Sequence, residues 1–339
     1  MTIRELIEER EYEILSPYAT HSRESKGRKI PEEPCDIRTC FQRDRDRILH
    51  SKSFRRLKNK TQVFLEPEGD HYRTRVTHTL EVSQIARTIA KALMLNEDLT
   101  EAIALGHDLG HTPYGHSGEN ALNAVLKEAG LKGFEHNEQS VRIVERIEKD
   151  GRGLNLTAEV VDGILNHGSD QMPYTLEGKI VRLCDKIAYI NHDIDDAIRA
   201  GVLREEEIPA EYTDVLGHSV KSRLNRMIHD IITCSSGKND ICQSEEVAEV
   251  MMNLRTFMFE TVYKSPLVKG EERKAQDLLK RLYYYYMEHI DRIPLSYRHL
   301  LDEGERQEIV VCDYISGMTD QYAVQKFTEL FVPKGWQEP

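Results

Sequence analysis

Side chains suited to binding a metal ion occur at three distant points of this 339-residue chain, and their separation constrains the fold more than any other feature. They are His78, the adjacent pair His107 and Asp108, and Asp185. One divalent ion could draw all four together if the fold brings them to one point. A domain boundary between residues 78 and 185 would divide such a site. We therefore expect one domain over residues 1–339, with a metal-binding core at about 60–200 and a C-terminal helical lobe at about 210–335.

The segment from His107 to Glu119 holds three histidines and two acids within thirteen residues. Imidazoles and carboxylates suit Mg, Mn, Fe, Ni, Co or Zn, so the identity of the ion stays open. Successive helical residues point about 100° apart, so His107 and Asp108 both reach one ion only where a helix ends. Gly110 and Pro113 supply that end. The alternative, a buried His–Asp pair that only orders a turn, does not explain the density of histidines. An ion with open positions for water and substrate indicates catalysis.

Two further parts of this region each allow two interpretations. His116 and Glu119 are three residues apart, so on a helix beginning near Ser117 or Gly118 the carboxylate can orient the imidazole for proton transfer. Alternatively, Ser117 caps that helix and Glu119 only stabilises its first turn. His136 either binds an anion or caps the helix that follows it.

Hydrophobic residues recur with helical spacing along most of the chain, which predicts an all-α fold. Two stripes are Val76, Leu80, Ile85, Ile89 and Leu93, and Val160, Val161, Ile164 and Leu165. Further helices are predicted at about 118–129, 138–149, 178–199, 214–233, 245–264, 271–291 and 318–331. The best candidate for a short strand is residues 61–65, and no repeat is present.

Composition narrows the class of protein. The net charge is −12 with 31% charged residues, which indicates a charged surface and disfavours nonspecific nucleic-acid binding. Residues 41–60 nevertheless hold eight Lys or Arg against two Asp, which keeps nucleic acid as a candidate partner. Six cysteines without Cys-x-x-Cys spacing or a disulfide framework fit a reducing cytoplasm. No apolar run approaches the roughly 18 residues of a membrane span, and the charged start is not a signal peptide, so we expect no membrane partner.

Eight blocks of sequence resemble the HD-domain phosphohydrolases, and more narrowly the bacterial dGTP triphosphohydrolase family. They follow the family order from about residue 34 to residue 331, so the resemblance covers nearly the whole chain. The blocks are Arg43–Ile48, Phe54–Leu57, Thr61–Val63, Arg73–Val82, Gly106–Glu119, Phe134–Glu138, Asp185–Asp195 and Asp313–Asp320.

The resemblance implies a role for each candidate residue. Its metal ligands are His78, His107, Asp108 and Asp185. Contacts with phosphate oxygens or proton transfer fall to His111, His116 and His136, with Glu119 supporting His116. Residues at positions that hold the phosphates and the sugar 3′-hydroxyl are Arg75, Lys186, Tyr189 and Asp193, and Arg55 matches a sugar-contacting position. Tyr314, in the last block, is expected to line the base or sugar site.

The same resemblance implies a homo-oligomeric enzyme that hydrolyses a deoxynucleoside triphosphate, such as dGTP, to the deoxynucleoside and inorganic triphosphate. One divalent ion would be its cofactor. Two alternatives come from other readings of the same residues. The first is an HD-domain nucleotidase acting on nucleoside monophosphates, and the second is a nucleic-acid-binding protein in which the HD site is vestigial.

Overall fold

The computed structural model describes residues 1–62, 73–264 and 266–334. The predicted all-α fold is confirmed, because these residues form sixteen α-helices and no β-strand. Isolated bridges join Arg28 to Thr157 and Thr61 to Thr74. Of the predicted strand at 61–65, residues 63–65 lie outside the described part of the chain. No described helix combines the length and apolar character of a membrane span.

The helices are α1 Ile3–Ile14, α2 Cys40–Leu49, α3 Lys52–Arg56, α4 Arg75–Ala92, α5 Glu97–Gly106, α6 Gly115–Glu128, α7 His136–Arg142, α8 Ala158–Asn166, α9 Leu176–Arg199, α10 Ala210–Leu216, α11 Val220–Ser235, α12 Glu245–Met258, α13 Pro266–Glu288, α14 Leu295–Asp302, α15 Gln307–Ser316 and α16 Asp320–Phe331. Two π-helical turns, Ile143–Ile147 and Phe259–Tyr263, continue α7 and α12. Short 3₁₀ turns occupy Ser22–Glu24, Leu57–Asn59, Glu205–Glu207 and Ile290–Arg292.

Backbone conformation at two positions explains where the predicted helix boundaries were wrong. The helix predicted over 214–233 is two helices, because Gly217 has φ of +115° and breaks the chain between α10 and α11. Helix α6 begins at Gly115 rather than near Ser117, and its start is marked by left-handed backbone angles at Tyr114, the residue before the helix, and at Gly115 itself. The predicted Ser117 cap is therefore wrong, since Ser117 lies inside the helix.

Two hydrophobic clusters form the interior of the molecule. The first contains residues of α2, α4, α5, α8, α9 and α10 to α12. The second contains residues of α6 and α13 to α16. The first half of the predicted C-terminal lobe thus packs with the core, while α6 of the predicted core packs with α13 and α15. We propose one domain because the two parts interleave in this way.

Candidate metal centre and cleft

The four predicted metal ligands lie together between α4, the end of α5 and α9. His78 Nε2 is 3.0 Å from Asp185 Oδ1. His107 Nε2 is 3.5 Å from Asp108 Oδ1 and 3.6 Å from Asp185 Oδ1. Helix α5 ends at Gly106, so the chain turns at this point and both His107 and Asp108 face the same site. We call these four residues the metal centre.

The donor atoms of the metal centre fit a divalent cation. His107 donates its Nδ1 hydrogen to the carbonyl of Ala104 at 2.7 Å, which leaves the lone pair of Nε2 facing the carboxylates. That nitrogen is buried and has no hydrogen-bond partner in the described part of the chain. Burial opposes a charge on His107, but Asp108 and Asp185 outweigh it and raise its pKa to about 9. The surroundings therefore favour a positive charge among these atoms.

A buried arginine adjoins the metal centre. Arg75, at the start of α4, donates from Nη1 to Asp108 Oδ2 at 2.9 Å and is 1% exposed. Its Nε and Nη2 atoms have no hydrogen-bond partner among the described residues. Because a guanidinium is a donor only, these atoms can bind an anionic oxygen in the cleft.

Three histidines form a group beside Asp108. His111 Nε2 lies 3.2 Å from Asp108 Oδ1, and its ring stacks on His136 with centroids 4.0 Å apart. Burial, and to a smaller extent the positive charge of Arg75, hold the pKa of His111 well below its ordinary value. His136 and a residue that the sequence did not single out, His167, approach to 3.3 Å between their Nε2 atoms. Burial lowers the pKa of His167 to about 4.

The predicted pairing of Glu119 with His116 is wrong, because the structure places Glu119 against His136. The Glu119 carboxylate accepts hydrogen bonds from the backbone nitrogen of His136 at 2.9 Å and from its Nδ1 at 3.0 Å. Burial alone would raise the pKa of Glu119, but the hydrogen bond from His136 outweighs it and lowers the pKa to about 2. The residue that Glu119 orients thus comes from α7, seventeen residues further along the chain.

His116 lies on the wall of the cleft, at a tight left-handed turn. Tyr114 and Gly115 have φ of +62° and +54°. A side chain at Gly115 would meet Arg75 Nη2 at 2.8 Å, so this turn requires glycine for its space as well as its backbone angle. His116 is exposed to the cleft and lines both of the cavities described next.

Two adjoining cavities share His116, Tyr189, Arg255 and Gln62 as walls. The inner cavity, of about 390 Å³, contains Arg75, Arg182 and Lys186 beside the metal centre. The outer cavity, of about 600 Å³, has a more apolar wall that includes Tyr114, Met252 and Phe259. A cationic pocket over the metal centre therefore opens into a less polar one.

Comparison with known proteins identifies the family. An HD-domain model matches residues 75–190, and a phosphohydrolase-associated domain model matches residues 241–329. A deoxyguanosinetriphosphate triphosphohydrolase-like protein from Caldanaerobacter subterraneus subsp. tengcongensis is 57% identical over 100% of this chain and 98% of its own length. Proteins of the same name from Desulfatibacillum aliphaticivorans and Clostridium perfringens are each 49% identical over 98% of this chain and 99% of theirs.

The chain belongs to the HD-domain deoxyguanosinetriphosphate triphosphohydrolase-like family. It is accordingly a phosphohydrolase. A crystal structure of a phosphohydrolase from Bacteroides thetaiotaomicron has the same fold, with a TM-score of 0.55 at 18% identity over 84% of this chain and 69% of that one.

The structure places most of the residues assigned through the family resemblance at the cleft, but not all of them. Lys186 and Tyr189 line it. Asp193 is fully buried one turn beyond Tyr189, and Tyr189 is its hydrogen-bonding neighbour. Burial, and then Asp196, raises the pKa of Asp193 well above its ordinary value. A buried carboxyl group of this kind suits a bound hydroxyl group better than a phosphate.

Two assigned residues lie elsewhere. Arg55 is exposed on α3, donates to the carbonyl of His50 at 3.2 Å, and lines a separate cavity. Tyr314 is 6% exposed and packs edge-on against Tyr286 and Tyr297, with centroids 5.1 and 5.5 Å away. In this structure α3 directs Arg55 outward and α15 directs Tyr314 into the second hydrophobic cluster, and the substrate contacts expected of both residues stay predictions.

The basic segment at 41–60 does not form a continuous cationic surface. Arg43 and Arg47 pair with Glu32, and Arg45 pairs with Asp98. Lys60 is 2% exposed. Ion pairs within the chain thus neutralise much of the positive charge of this segment, which was the reason to consider nucleic acid as a partner.

Several residues at the cleft were missed from the sequence. They are Gln62, His167, Arg182 and Arg255. A signal existed for His167, which follows an amphipathic helix as His107 does, and for Arg182, which is one turn before Asp185 on α9. No local signal marks Arg255, because α12 reaches the cleft only through the tertiary fold.

Proposed function

We propose that this phosphohydrolase cleaves deoxynucleoside triphosphates to a deoxynucleoside and inorganic triphosphate. The observation that carries the proposal is the continuity of the two cavities, with the metal centre and cationic side chains at the inner end and a more apolar wall at the outer end. A triphosphate in the inner cavity would place its nucleoside in the outer one. The names of the relatives support the same substrate class.

The cationic residues suit the phosphate chain. Arg75 offers two unpaired guanidinium nitrogens beside Asp108, and Lys186 and Arg255 line the same cavity. Such groups stabilise the charge that develops on phosphate oxygens during hydrolysis. A divalent ion in the metal centre would supply Lewis acidity and a more acidic bound water.

His116 lies where the two cavities meet, so it would face the bond between the first phosphate and the sugar oxygen. We assign it proton transfer at that phosphate. His136 is held by Glu119 and stacked by His111, so its ring has a fixed orientation at the wall of the inner cavity. Asp193, one turn beyond Tyr189 on α9, would accept a hydrogen bond from the sugar 3′-hydroxyl.

The test is to incubate the metal-loaded protein with each dNTP and NTP, singly and mixed, in ¹⁸O-labelled water. Chromatography is expected to give deoxynucleoside and triphosphate, with the label in triphosphate and none at the nucleoside 5′-oxygen. An Asp185→Ala preparation measured in parallel controls for contaminating phosphatases. Deoxynucleoside monophosphate and pyrophosphate as first products would contradict the proposal, as would release of orthophosphate in steps.

A further inference from the structure

The ends of α5 and α8 present two histidines in the same way. His107 follows α5 and His167 follows α8, and each ring places Nδ1 2.7 Å from the carbonyl oxygen three residues earlier. A carbonyl oxygen can only accept, so Nδ1 carries the hydrogen and Nε2 presents a lone pair. Histidines that bind metal are commonly held by this second hydrogen bond. His167 thus has the same tautomer and the same backbone hydrogen bond as His107, a ligand of the metal centre.

His136 reaches the same state through a side chain. The carboxylate of Glu119 accepts a hydrogen bond from Nδ1 of His136, which lies 3.0 and 3.2 Å from its two oxygens. Nδ1 therefore carries the hydrogen, and Nε2 of His136 also presents a lone pair. The two Nε2 atoms face each other at 3.3 Å. Two acceptors at this distance repel unless a cation or a shared proton stabilises them.

Asp108 completes the set. The ligand atoms of Asp108, His136 and His167 all lie within 4.8 Å of one another, as do those of His78, His107 and Asp108. Asp108 therefore belongs to both groups, and a carboxylate has enough acceptor positions for two neighbours. Asp108 and His167 are 3% and 2% exposed, so solvent does little to screen the repulsion.

In a third group, His111, Glu119 and His136, the ligand atoms also lie within 4.8 Å of one another. It is not a convincing cation site, because Glu119 is already the hydrogen-bond acceptor of His136 Nδ1. In addition, His111 lies on the face of the His136 ring, with an angle of 13° between the planes, so the two rings do not point toward one position.

We propose that Asp108, His136 and His167 bind a second divalent cation beside the metal centre, with Asp108 shared between the two ions. Imidazole and carboxylate ligands suit Mn, Fe, Co, Ni or Zn. Three protein ligands leave positions open to the inner cavity, where His136 and His167 form part of the wall. Paired ions about 3.5–4 Å apart are a recognised arrangement for phosphate chemistry. The proposal concerns cation binding alone and does not rest on the identity of the substrate.

The test measures bound metal. Protein stripped with a chelator is loaded with Mn²⁺, freed of excess metal by gel filtration and assayed by mass spectrometry and electron paramagnetic resonance. We expect two Mn²⁺ per chain with an exchange-coupled spectrum in the wild type. His167→Ala and His136→Ala should each hold one Mn²⁺ with an uncoupled spectrum. His21→Ala, which removes a buried histidine stacked on Tyr12 away from the cleft, should retain two.

One Mn²⁺ in the wild type and one in both variants would overturn the second site and indicate a proton shared by His136 and His167. No bound Mn²⁺ in the wild type would overturn both sites. Circular dichroism identifies an unfolded variant, and the coupled or uncoupled spectrum of the wild type decides the question without any variant. Two bound ions in a protein that fails to hydrolyse dNTPs would refute the proposed function and leave the second site standing.

Discussion

At the scale of single residues, the histidines of the cleft differ in what their second ring nitrogen contacts. His107 and His167 donate to backbone carbonyls, and His136 donates to Glu119. His111 keeps a buried Nδ1 without a partner in the described part of the chain. Hence neighbouring rings of the same type are prepared for different tasks, because the second contact sets which nitrogen carries the hydrogen.

Loss of a metal ligand should be visible as loss of metal. We expect Asp185→Ala and His107→Ala to abolish turnover and to lower metal content, since each removes an atom within 3.6 Å of its neighbours in the metal centre. Asp195→Ala is the matched control, because it removes a carboxylate from α9 that pairs with Arg73 instead. Metal analysis of the purified proteins is the measurement, and full occupancy in both ligand variants would contradict the assignment.

His116 should behave differently. We expect His116→Ala to keep its metal and to lower kcat by about a hundredfold, the usual scale for lost acid–base catalysis. His50→Ala, an exposed histidine that lines a separate cavity, should leave kcat unchanged. Steady-state kinetics at saturating substrate measure both. A kcat near that of the wild type would show that His116 has no chemical role.

The sequence could predict the metal ligands because their types and blocks are distinctive, but it could not predict the partner of Glu119. Three-residue spacing suggested His116. In the structure, α6 begins at Gly115, and α7 brings His136 to the carboxylate from the other side. Only the tertiary arrangement of two helices decides between these partners, and no local pattern records it.

At the scale of elements, α7 is fastened to the turn that carries the metal ligands. The Gly110 nitrogen donates to Ser140 Oγ at 2.8 Å, and that hydroxyl donates to the carbonyl of His107 at 2.7 Å. A Cβ at position 110 would lie 2.2 Å from the His136 carbonyl oxygen and from the Ser140 nitrogen. Because both obstacles are backbone atoms, α7 can approach only a glycine.

Gly110→Ala should therefore lower the free energy of unfolding by about 3 kcal/mol, the upper range for overpacking, and should reduce kcat by displacing His136. Gly270→Ala is the control, since a Cβ there meets nothing within 4 Å and alanine favours a helix by about 1 kcal/mol. Chemical denaturation and kinetics compare the two. Equal free energies of unfolding for Gly110→Ala and Gly270→Ala would mean that α7 shifts to accommodate the methyl group without loss of stability.

Helix α16 holds the turn before His116. The first residue of α16, Asp320, accepts hydrogen bonds from the Tyr114 nitrogen at 3.0 Å and from the nitrogen and hydroxyl of Thr61 at 2.9 and 2.7 Å. Lys60 makes a similar connection by donating to the carbonyls of His111 and Ser316. The C-terminal helices thus fix the backbone on which His111 and His116 stand.

Asp320→Ala should cost about 3 kcal/mol, because it leaves buried donors without an acceptor. It should also lower kcat while metal content stays that of the wild type, since in the part of the chain that the structure describes no hydrogen bond or ion pair joins the metal centre to α16. Glu329→Ala removes an exposed carboxylate from the same helix and should change neither quantity. Unchanged kcat in Asp320→Ala would show that the turn at Tyr114 and Gly115 keeps its conformation without Asp320.

Most helices were predictable, and their errors have a common cause. Periodicity located the helix predicted at 178–199, which is α9 at Leu176–Arg199, to within two residues. It could not reveal the left-handed angles of Tyr114 and Gly115 or the break at Gly217, because hydrophobic spacing records neither backbone angles nor the contacts with Arg75 and Ser222 that leave no room for a side chain at positions 115 and 217. The exposed Leu80 in the predicted α4 stripe shows the same limit.

At the scale of the whole molecule, the two hydrophobic clusters meet at the cleft, because α6 belongs to one and α4, α5 and α9 to the other. The metal centre lies on the side of the first cluster, and His116 lies on the side of the second. Under the proposed function, catalysis therefore requires both clusters to be folded and packed correctly against each other.

The family resemblance also predicts a homo-oligomer. We expect multi-angle light scattering to give a mass that is a multiple of the 39.2 kDa chain at assay concentration. Activity measured on the same fractions links the mass to function. An active species with the mass of one chain would rule the prediction out.

The contact between Asp320 and Tyr114 spans 206 residues, which has a consequence for synthesis on the ribosome. At about 5–20 residues per second, the ribosome adds residue 320 some 10–40 seconds after residue 114. During that interval the first cluster can form and the metal ligands can meet, but the turn before His116 still lacks the Asp320 carboxylate to which the Tyr114 nitrogen donates. The nascent protein is thus expected to acquire its metal before it becomes an enzyme.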